Sequence, residues 1–212
     1  MYQTMTTLVF DLDGTLYVNH DLGREIDRVA CDYIAGLKGT GIEAAADLIS
    51  ESRQRLSAAS GFDTTLSHAI TDLGGSIVAL HRRFAAEVRP ERFLSRDDRV
   101  VELMRILSGR FELHVYTNNN RYLAKTIMEL LGIAGFMGQL FSIEYSWCPK
   151  PHLQSLEMVL RAIGKTAVEC LFVGDRFDVD LRLPAALGCG VCLVGGIDEL
   201  LHLAKLVNEE NL

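Results

Sequence analysis

Four short polar clusters, spread over most of the chain, hold the residue types from which phosphoryl chemistry can be built. They are Asp11-Leu12-Asp13-Gly14-Thr15, Thr117-Asn118, Lys150, and Gly174-Asp175-Arg176-Phe177-Asp178-Val179-Asp180. A carboxylate such as Asp11 can attack phosphorus and form an acyl phosphate, which divides a difficult hydrolysis into two easier displacements. Asp13 reaches the same centre if the chain turns at Gly14, and can there give a proton to a leaving alcohol and later take one from water. Thr117 offers a hydroxyl and Asn118 a backbone N–H near a helix start, both suited to holding phosphoryl oxygens. Lys150 adds a compact positive charge for the nucleophile and for charge developing on the phosphoryl group. Bringing Asp11, Asp175 and Asp180 together would be repulsive without a cation, and an oxygen-rich site with a phosphate ligand favours Mg²⁺. Asp178 ranks below Asp180 for that role. Each cluster also has a plainer reading. An Asp after a strand caps a helix or forms a turn, the asparagine run caps the next helix, and a lysine between two prolines is an exposed charge.

The elements needed to bring the clusters together are legible. Thr6–Phe10 is a short apolar and β-branched run that reads as a buried strand ending at Asp11. From Asp21 to Val88 the periodicity is helical, with Ile26, Val29, Ala30, Tyr33, Ile34 and Leu37 on one face of a first helix. Gly39 breaks it, and Thr40-Gly41-Ile42-Glu43 fits a capping box opening a second helix to about Ala59. Beyond Pro90 the pattern alternates. Helices are predicted at 97–107, 122–131, 152–163 and up to 187, strands at 111–116, 140–143, 170–173 and 190–194, with a closing helix after them. Continuous apolar strands separated by helices predict a parallel sheet covered on both faces. Ligands in such sheets bind beyond the carboxyl ends of the strands, where all four clusters fall.

In that order and spacing the clusters resemble the four motifs of the haloacid dehalogenase-like phosphatases. Asp11-Leu12-Asp13-Gly14-Thr15-Leu16-Tyr17 is similar to the first motif, Val115-Tyr116-Thr117-Asn118 to the second, Lys150 to the third, and Val173-Gly174-Asp175 with Asp180 to the fourth. The resemblance covers essentially the whole chain. It implies an α/β fold, a Rossmann-like doubly wound parallel sheet core with an inserted all-helical cap domain. The core would take residues 1–16 and 93–212, and the cap 17–92. The resemblance also implies Mg²⁺ held by the Asp11 carboxylate, the Asp13 carbonyl and Asp175, with Asp180 orienting or ligating through water. Arg176 departs from the pattern, a small Ser being common there. The implied activity is Mg²⁺-dependent hydrolysis of a small phosphomonoester through an aspartyl phosphate. A softer similarity to the pyrimidine 5′-nucleotidase and phosphoglycolate phosphatase branch places nucleoside 5′-monophosphates first. A phosphosugar mutase on the same core is the alternative. A haloacid dehalogenase ranks lower because Asp13 has no task in displacing halide, and a binding module without activity ranks last. Substrate choice is expected in the cap.

Composition narrows the classes. The chain has 212 residues, enough for a real core, with 21 basic against 28 acidic side chains and a formal charge of −7. That sign disfavours a nucleic acid polymer as partner and leaves a small phosphorylated substrate. No segment approaches the roughly 18 apolar residues of a membrane helix. Met1-Tyr2-Gln3-Thr4-Met5 lacks a basic region ahead of an apolar run, so no leader or membrane partner is expected and the reading is cytoplasmic. Five cysteines, an odd number, suit a reducing compartment, with Cys189 and Cys192 expected as buried thiols. His68, His81 and His152 are expected in solvated or helix-end positions. Tyr145 and Trp147 are expected in loop packing or at the substrate's edge, and Gly132, Gly135 and Gly138 in a helix-to-strand loop. The pattern assigns no oligomeric state.

Overall fold

Thr7–Phe10, four residues with no exposed position, forms β1, the middle strand of a five-stranded parallel sheet in the computed structural model. The structure describes residues 5–205; the segment 1–4, on which the leader expectation rests, lies outside the described residues. The sheet continues through β2 (Glu112–Tyr116), β3 (Leu140–Phe141), β4 (Cys170–Gly174) and β5 (Gly190–Leu193), in the order β3-β2-β1-β4-β5. All pairings are parallel, with Phe10 in register with Val115 on one side and Val173 on the other. The sequence winds outward from β1 first to one edge and then to the other, which puts the topological switch at β1, the strand that leads into Asp11.

Because side chains alternate across a strand, each face of β1 needs its own cover. Val9, Tyr116 and Phe172 pack on one face with Leu156 and Val159 of α7 (Leu153–Ile163) and with Leu181. α5 (Asp98–Ser108), whose Val100, Leu103, Met104 and Leu107 are buried, packs against β2 and against α9 (Ile197–Leu201). α6 (Arg121–Leu131) and α8 (Arg182–Ala186) complete the alternation.

The chain divides into two compact units. One takes the chain up to Asn19 and again from Leu94; the other, His20–Phe93, is all helical. The helical unit holds α1 (His20–Lys38), α2 (Ile42–Ser60), α3 (Leu66–Asp72) and α4 (Ile77–Glu87). Val29, Ala30 and Ile34 are buried on α1 as its periodicity predicts, but Leu37 in the last turn is 47% exposed. Ser52 on α2 donates to Asp72 on α3 at 2.6 Å, and Tyr33 of α1 accepts the backbone N–H of Ser76 at 2.8 Å.

Two local expectations are corrected. α2 is capped by Gly41 with no side-chain cap bond, so the predicted Thr40 capping box does not form. Thr40 is committed to the end of α1, where Gly39 is left-handed (φ 65°) and the Thr40 N–H bonds the Ala35 carbonyl at 3.0 Å, a Schellman closure. His81 is neither solvated nor at a helix end. It lies inside α4, 3% exposed and edge-on to Phe84 at 5.3 Å. His152 does take a helix end, capping α7.

Candidate active site

β1 delivers the first cluster. The Asp11 N–H bonds the Val173 carbonyl at 2.9 Å, carrying the ladder with β4 one residue past the strand, and the residue is 6% exposed. The chain then turns on Gly14 at φ 84°, a conformation that favours glycine. A bond from the Gly14 N–H to the Tyr17 carbonyl (2.9 Å) closes the turn. Gly14 has a second reason to lack a side chain: a Cβ there would lie 2.6 Å from Asp175 Cγ.

β2 delivers the second. The Thr117 N–H bonds the Phe141 carbonyl at 2.9 Å, and its hydroxyl accepts the Asn119 N–H at 3.1 Å and lies 3.5 Å from Asp13 Oδ2. Asn120 caps α6, accepting the Leu123 N–H at 2.9 Å, so the capping reading of the asparagine run holds for that residue alone. The Asn118 side chain pins the Lys150 backbone, its Oδ1 accepting the Lys150 N–H at 2.7 Å. Asn119 Nδ2 donates to Asp13 Oδ2 at 2.6 Å, a contact between residues 106 positions apart that sequence reasoning missed. Its one local signal was the position two residues beyond Thr117.

Lys150 is no exposed charge. It is 2% exposed, and Nζ donates to Asp11 Oδ1 (2.7 Å), Asp180 Oδ1 (2.7 Å) and the Tyr116 carbonyl (2.8 Å). Burial alone would lower its pKa, but Asp11 and Asp180 outweigh that and hold it above the ordinary lysine value.

β4 runs into a π-helical turn, Phe177–Leu181, that curls Asp180 back under the strand end. The Asp180 N–H bonds the Arg176 carbonyl at 2.8 Å, and Asp180 Oδ2 accepts the Arg176 N–H at 3.2 Å. A Cβ on Gly174 would lie 2.6 Å from Asp180 Cβ, so the glycine is what admits this close approach. Burial would lower the Arg176 pKa, but Asp180, Asp11, Asp175 and Asp13 keep it above its ordinary value, adding a guanidinium to an acidic site.

One carboxylate oxygen each from Asp11, Asp175 and Asp180 lies within 4.8 Å of the others. Asp178 is not in this cluster. Burial, offset by Lys150 and reinforced by Asp180 and Asp13, pushes the Asp11 carboxyl up to about 7. Burial raises Asp175 as well, with Arg176 opposing. Asp175 Oδ1 is buried and has no hydrogen-bond partner among the described residues. Four carboxylates, Asp11, Asp13, Asp175 and Asp180, against the Lys150 ammonium and the Arg176 guanidinium leave negative charge over, and an oxygen with no donor completes a donor set that fits a hard cation.

Around these, Tyr17 Oη donates to Asp13 Oδ1, and burial, followed by the Asp13 charge, holds the phenol well above its ordinary pKa. Tyr145 and Trp147, on the loop before Lys150, are 40% and 37% exposed. All five cysteines are free thiols, and burial pushes Cys189 up to about 12.

All the sequence-selected residues, Asp11, Asp13, Thr117, Asn118, Lys150, Asp175 and Asp180, thus meet at one end of the sheet although they span some 170 positions. No helix among the described residues is long and apolar enough to cross a membrane.

Comparison with known proteins agrees with this arrangement. A family model described as haloacid dehalogenase-like hydrolase matches residues 5–188. Pyrophosphatase PpaX of Bacillus pumilus (strain SAFR-032) is 25% identical over 176 residues, 82% of this chain and 76% of that protein. The structure is similar to a HAD phosphatase from Thermococcus onnurineus (TM-score 0.62, 16% identity, 96% and 98% of the two chains). It is also similar to a 2-haloacid dehalogenase from Pseudomonas syringae pv. Tomato DC3000 (TM-score 0.61, 19% identity, 97% and 99%). With the family match spanning most of its length and the motif residues gathered at one sheet end, the chain belongs to the haloacid dehalogenase-like hydrolases.

Proposed function

We propose that the protein is a Mg²⁺-dependent phosphatase that hydrolyses a small phosphomonoester through a phosphoaspartate at Asp11. Asp13 carries this reading. Displacement of halide gives no work to a second carboxylate, whereas here Asp13 is held beside Thr117 and Asn119 by direct hydrogen bonds. Asp11 keeps Oδ1 on the Lys150 ammonium, while Oδ2 meets the Thr15 hydroxyl only at 3.4 Å and is the oxygen left to attack. Asp13 protonates the departing alcohol and then takes a proton from the water that hydrolyses the phosphoaspartate. Thr117 and the Asn118 backbone N–H hold phosphoryl oxygens. Lys150 favours the ionised form of Asp11 against the effect of burial and balances charge as phosphorus is transferred. The Asp11 carboxylate, the Asp13 carbonyl and Asp175 would hold Mg²⁺, with Asp180 acting through water. When bound, the cation neutralises the carboxylates and orients the phosphoryl group.

Nucleoside 5′-monophosphates lead the substrate class, pyrimidines first, followed by phosphoglycolate and sugar phosphates. The relative named pyrophosphatase adds inorganic pyrophosphate to the panel. The protein's free thiols fit a cytoplasmic setting. The test is phosphate release from this panel with Mg²⁺ and after chelation. Release that disappears with chelator and returns with Mg²⁺, but poorly with the larger Ca²⁺, supports the reading. Halide release from a 2-haloacid without metal overturns it. A phosphate moved within the substrate instead of freed makes the protein a mutase.

A further inference from the structure

Asp11 and Asp13 stand two residues apart in very different surroundings. Asp11 is tied to an ammonium, Lys150, at 2.7 Å. Asp13 is held by neutral donors on both oxygens: Tyr17 Oη on Oδ1, and on Oδ2 the Asn119 amide at 2.6 Å with the Thr117 hydroxyl at 3.5 Å. These donors are themselves fixed. Tyr17 and Asn119 are each 7% exposed. The Tyr17 carbonyl receives the Gly14 N–H at 2.9 Å, and the Asn119 N–H is anchored on Thr117 Oγ1 at 3.1 Å. Asp13 is the one site carboxylate whose task requires it both to carry and to lose a proton, and its direct partners are uncharged. An amide fixes one oxygen and the plane of the carboxylate, while a phenol, whose hydroxyl rotates between donor and acceptor, serves the other in either state.

We propose that Tyr17 and Asn119 are positioning residues that hold the Asp13 carboxyl in line with the leaving oxygen. Neither touches the reacting atoms; they act through Asp13. The proposal rests on the phosphatase reading and on Asp13 as its general acid.

Positioning of a general acid has a signature that loss of packing lacks. An alkyl phosphate needs a proton on its leaving oxygen, whereas 4-nitrophenolate leaves without one. General acid catalysis contributes on the order of 10²–10⁴-fold, so misplacing the acid falls mainly on the alkyl substrate. The experiment compares kcat/KM, which reports steps through departure of the leaving group, for 4-nitrophenyl phosphate and for the alkyl phosphate the wild type turns over best. The proteins are wild type, Tyr17→Phe, Asn119→Ala, Asn119→Ser and Asp13→Ala. Tyr17→Phe keeps the buried ring. Expected is a loss on the alkyl substrate at least about tenfold greater than on the aryl one for Tyr17→Phe and Asn119→Ala, with partial recovery in Asn119→Ser, which restores a donor. If those variants lose equally on both substrates, or on neither, while Asp13→Ala discriminates, the positioning roles are wrong and Asp13 remains the acid. If Asp13→Ala also loses equally on both, the acid assignment itself fails. A wild type that releases phosphate from neither substrate overturns the phosphatase reading and this proposal together.

Discussion

Replacing Lys150 with methionine tests whether the site is held together by a single buried charge. Methionine keeps an unbranched apolar stem, with sulfur for one methylene, and ends one atom short, where the ammonium stood, so shape is close to conserved. The ammonium makes bonds of 2.7, 2.7 and 2.8 Å to Asp11, Asp180 and the Tyr116 carbonyl, at a residue 2% exposed. Removing one partner of a buried ion pair costs about 3–5 kcal/mol, because the charge left behind has no compensation. Here two carboxylates are left facing each other, which puts the variant at the upper end of that range. The assay is urea unfolding in the presence of chelator, followed by the fluorescence of Trp147. It is the chain's one tryptophan and stands three residues before Lys150, in the sheet unit. With a slope of about 2 kcal/mol per molar urea, the midpoint should fall by roughly 2.5 M. Adding Asp180→Asn to the variant removes one of the stranded charges. The double variant should therefore be more stable than the sum of the single effects by about 1–3 kcal/mol. A midpoint shift below about 0.5 M, or strictly additive effects, would refute the view that the ammonium compensates both carboxylates.

Asp11→Asn should fold yet lose at least about 10³-fold in kcat, near 4 kcal/mol, because an amide cannot form the acyl phosphate; phosphate-release kinetics measure it. Gly14→Ala should cost about 1–3 kcal/mol and weaken Mg²⁺ binding, since φ is 84° and the new Cβ would lie 2.6 Å from Asp175 Cγ; thermal melting with and without Mg²⁺ shows both effects. His81 gives the helical unit an acid-sensitive step. Burial lowers its pKa from 6.5 to about 4, so between those values the unfolded chain binds the proton more tightly. The stability associated with neutral His81 is full above pH 6.5 and is lost as pH falls toward 4, about 3 kcal/mol in all. His81→Leu should flatten that slope in denaturation followed by far-UV circular dichroism, and an unchanged slope would reassign it.

The strands and the motif residues were legible because their signals are local. A short apolar run with no polar alternation, bounded by turn residues, fits a strand in a covered sheet, although β5 proves only half-buried, and a carboxylate, threonine or Gly-Asp pair at its end is visible within a few residues. What escaped was long-range. That Asn119 would grip Asp13 depends on β2 lying beside β1, and that Asn118 would pin the Lys150 backbone depends on β2 lying beside β3, and no short window holds either fact. The capping-box error had a local cause: Thr40 matched the pattern, but Gly39 had already committed its N–H to closing α1. His81 was misplaced because a histidine among apolar residues in a helix reads alike whether its face is covered or exposed, and Leu80 and Phe84 show that this face is covered.

One strand end here yields two carboxylates in different surroundings. Residues two apart on an extended strand would point the same way into the same surroundings. Gly14 breaks that equivalence by turning the chain directly after Asp13 and closing it with a bond to the Tyr17 carbonyl, so Asp11 stays on the β4 ladder while Asp13 swings to Tyr17 and Asn119. Burial and neighbouring carboxylates push Asp11 up to about 7, and only the Lys150 ammonium works strongly against that rise. On the proposed roles, the nucleophile is the carboxylate beside the ammonium, Asp11, and the proton carrier is the one held by neutral donors, Asp13. The separation of the two proposed roles thus rests on which element each oxygen faces, and the glycine turn sets which element that is.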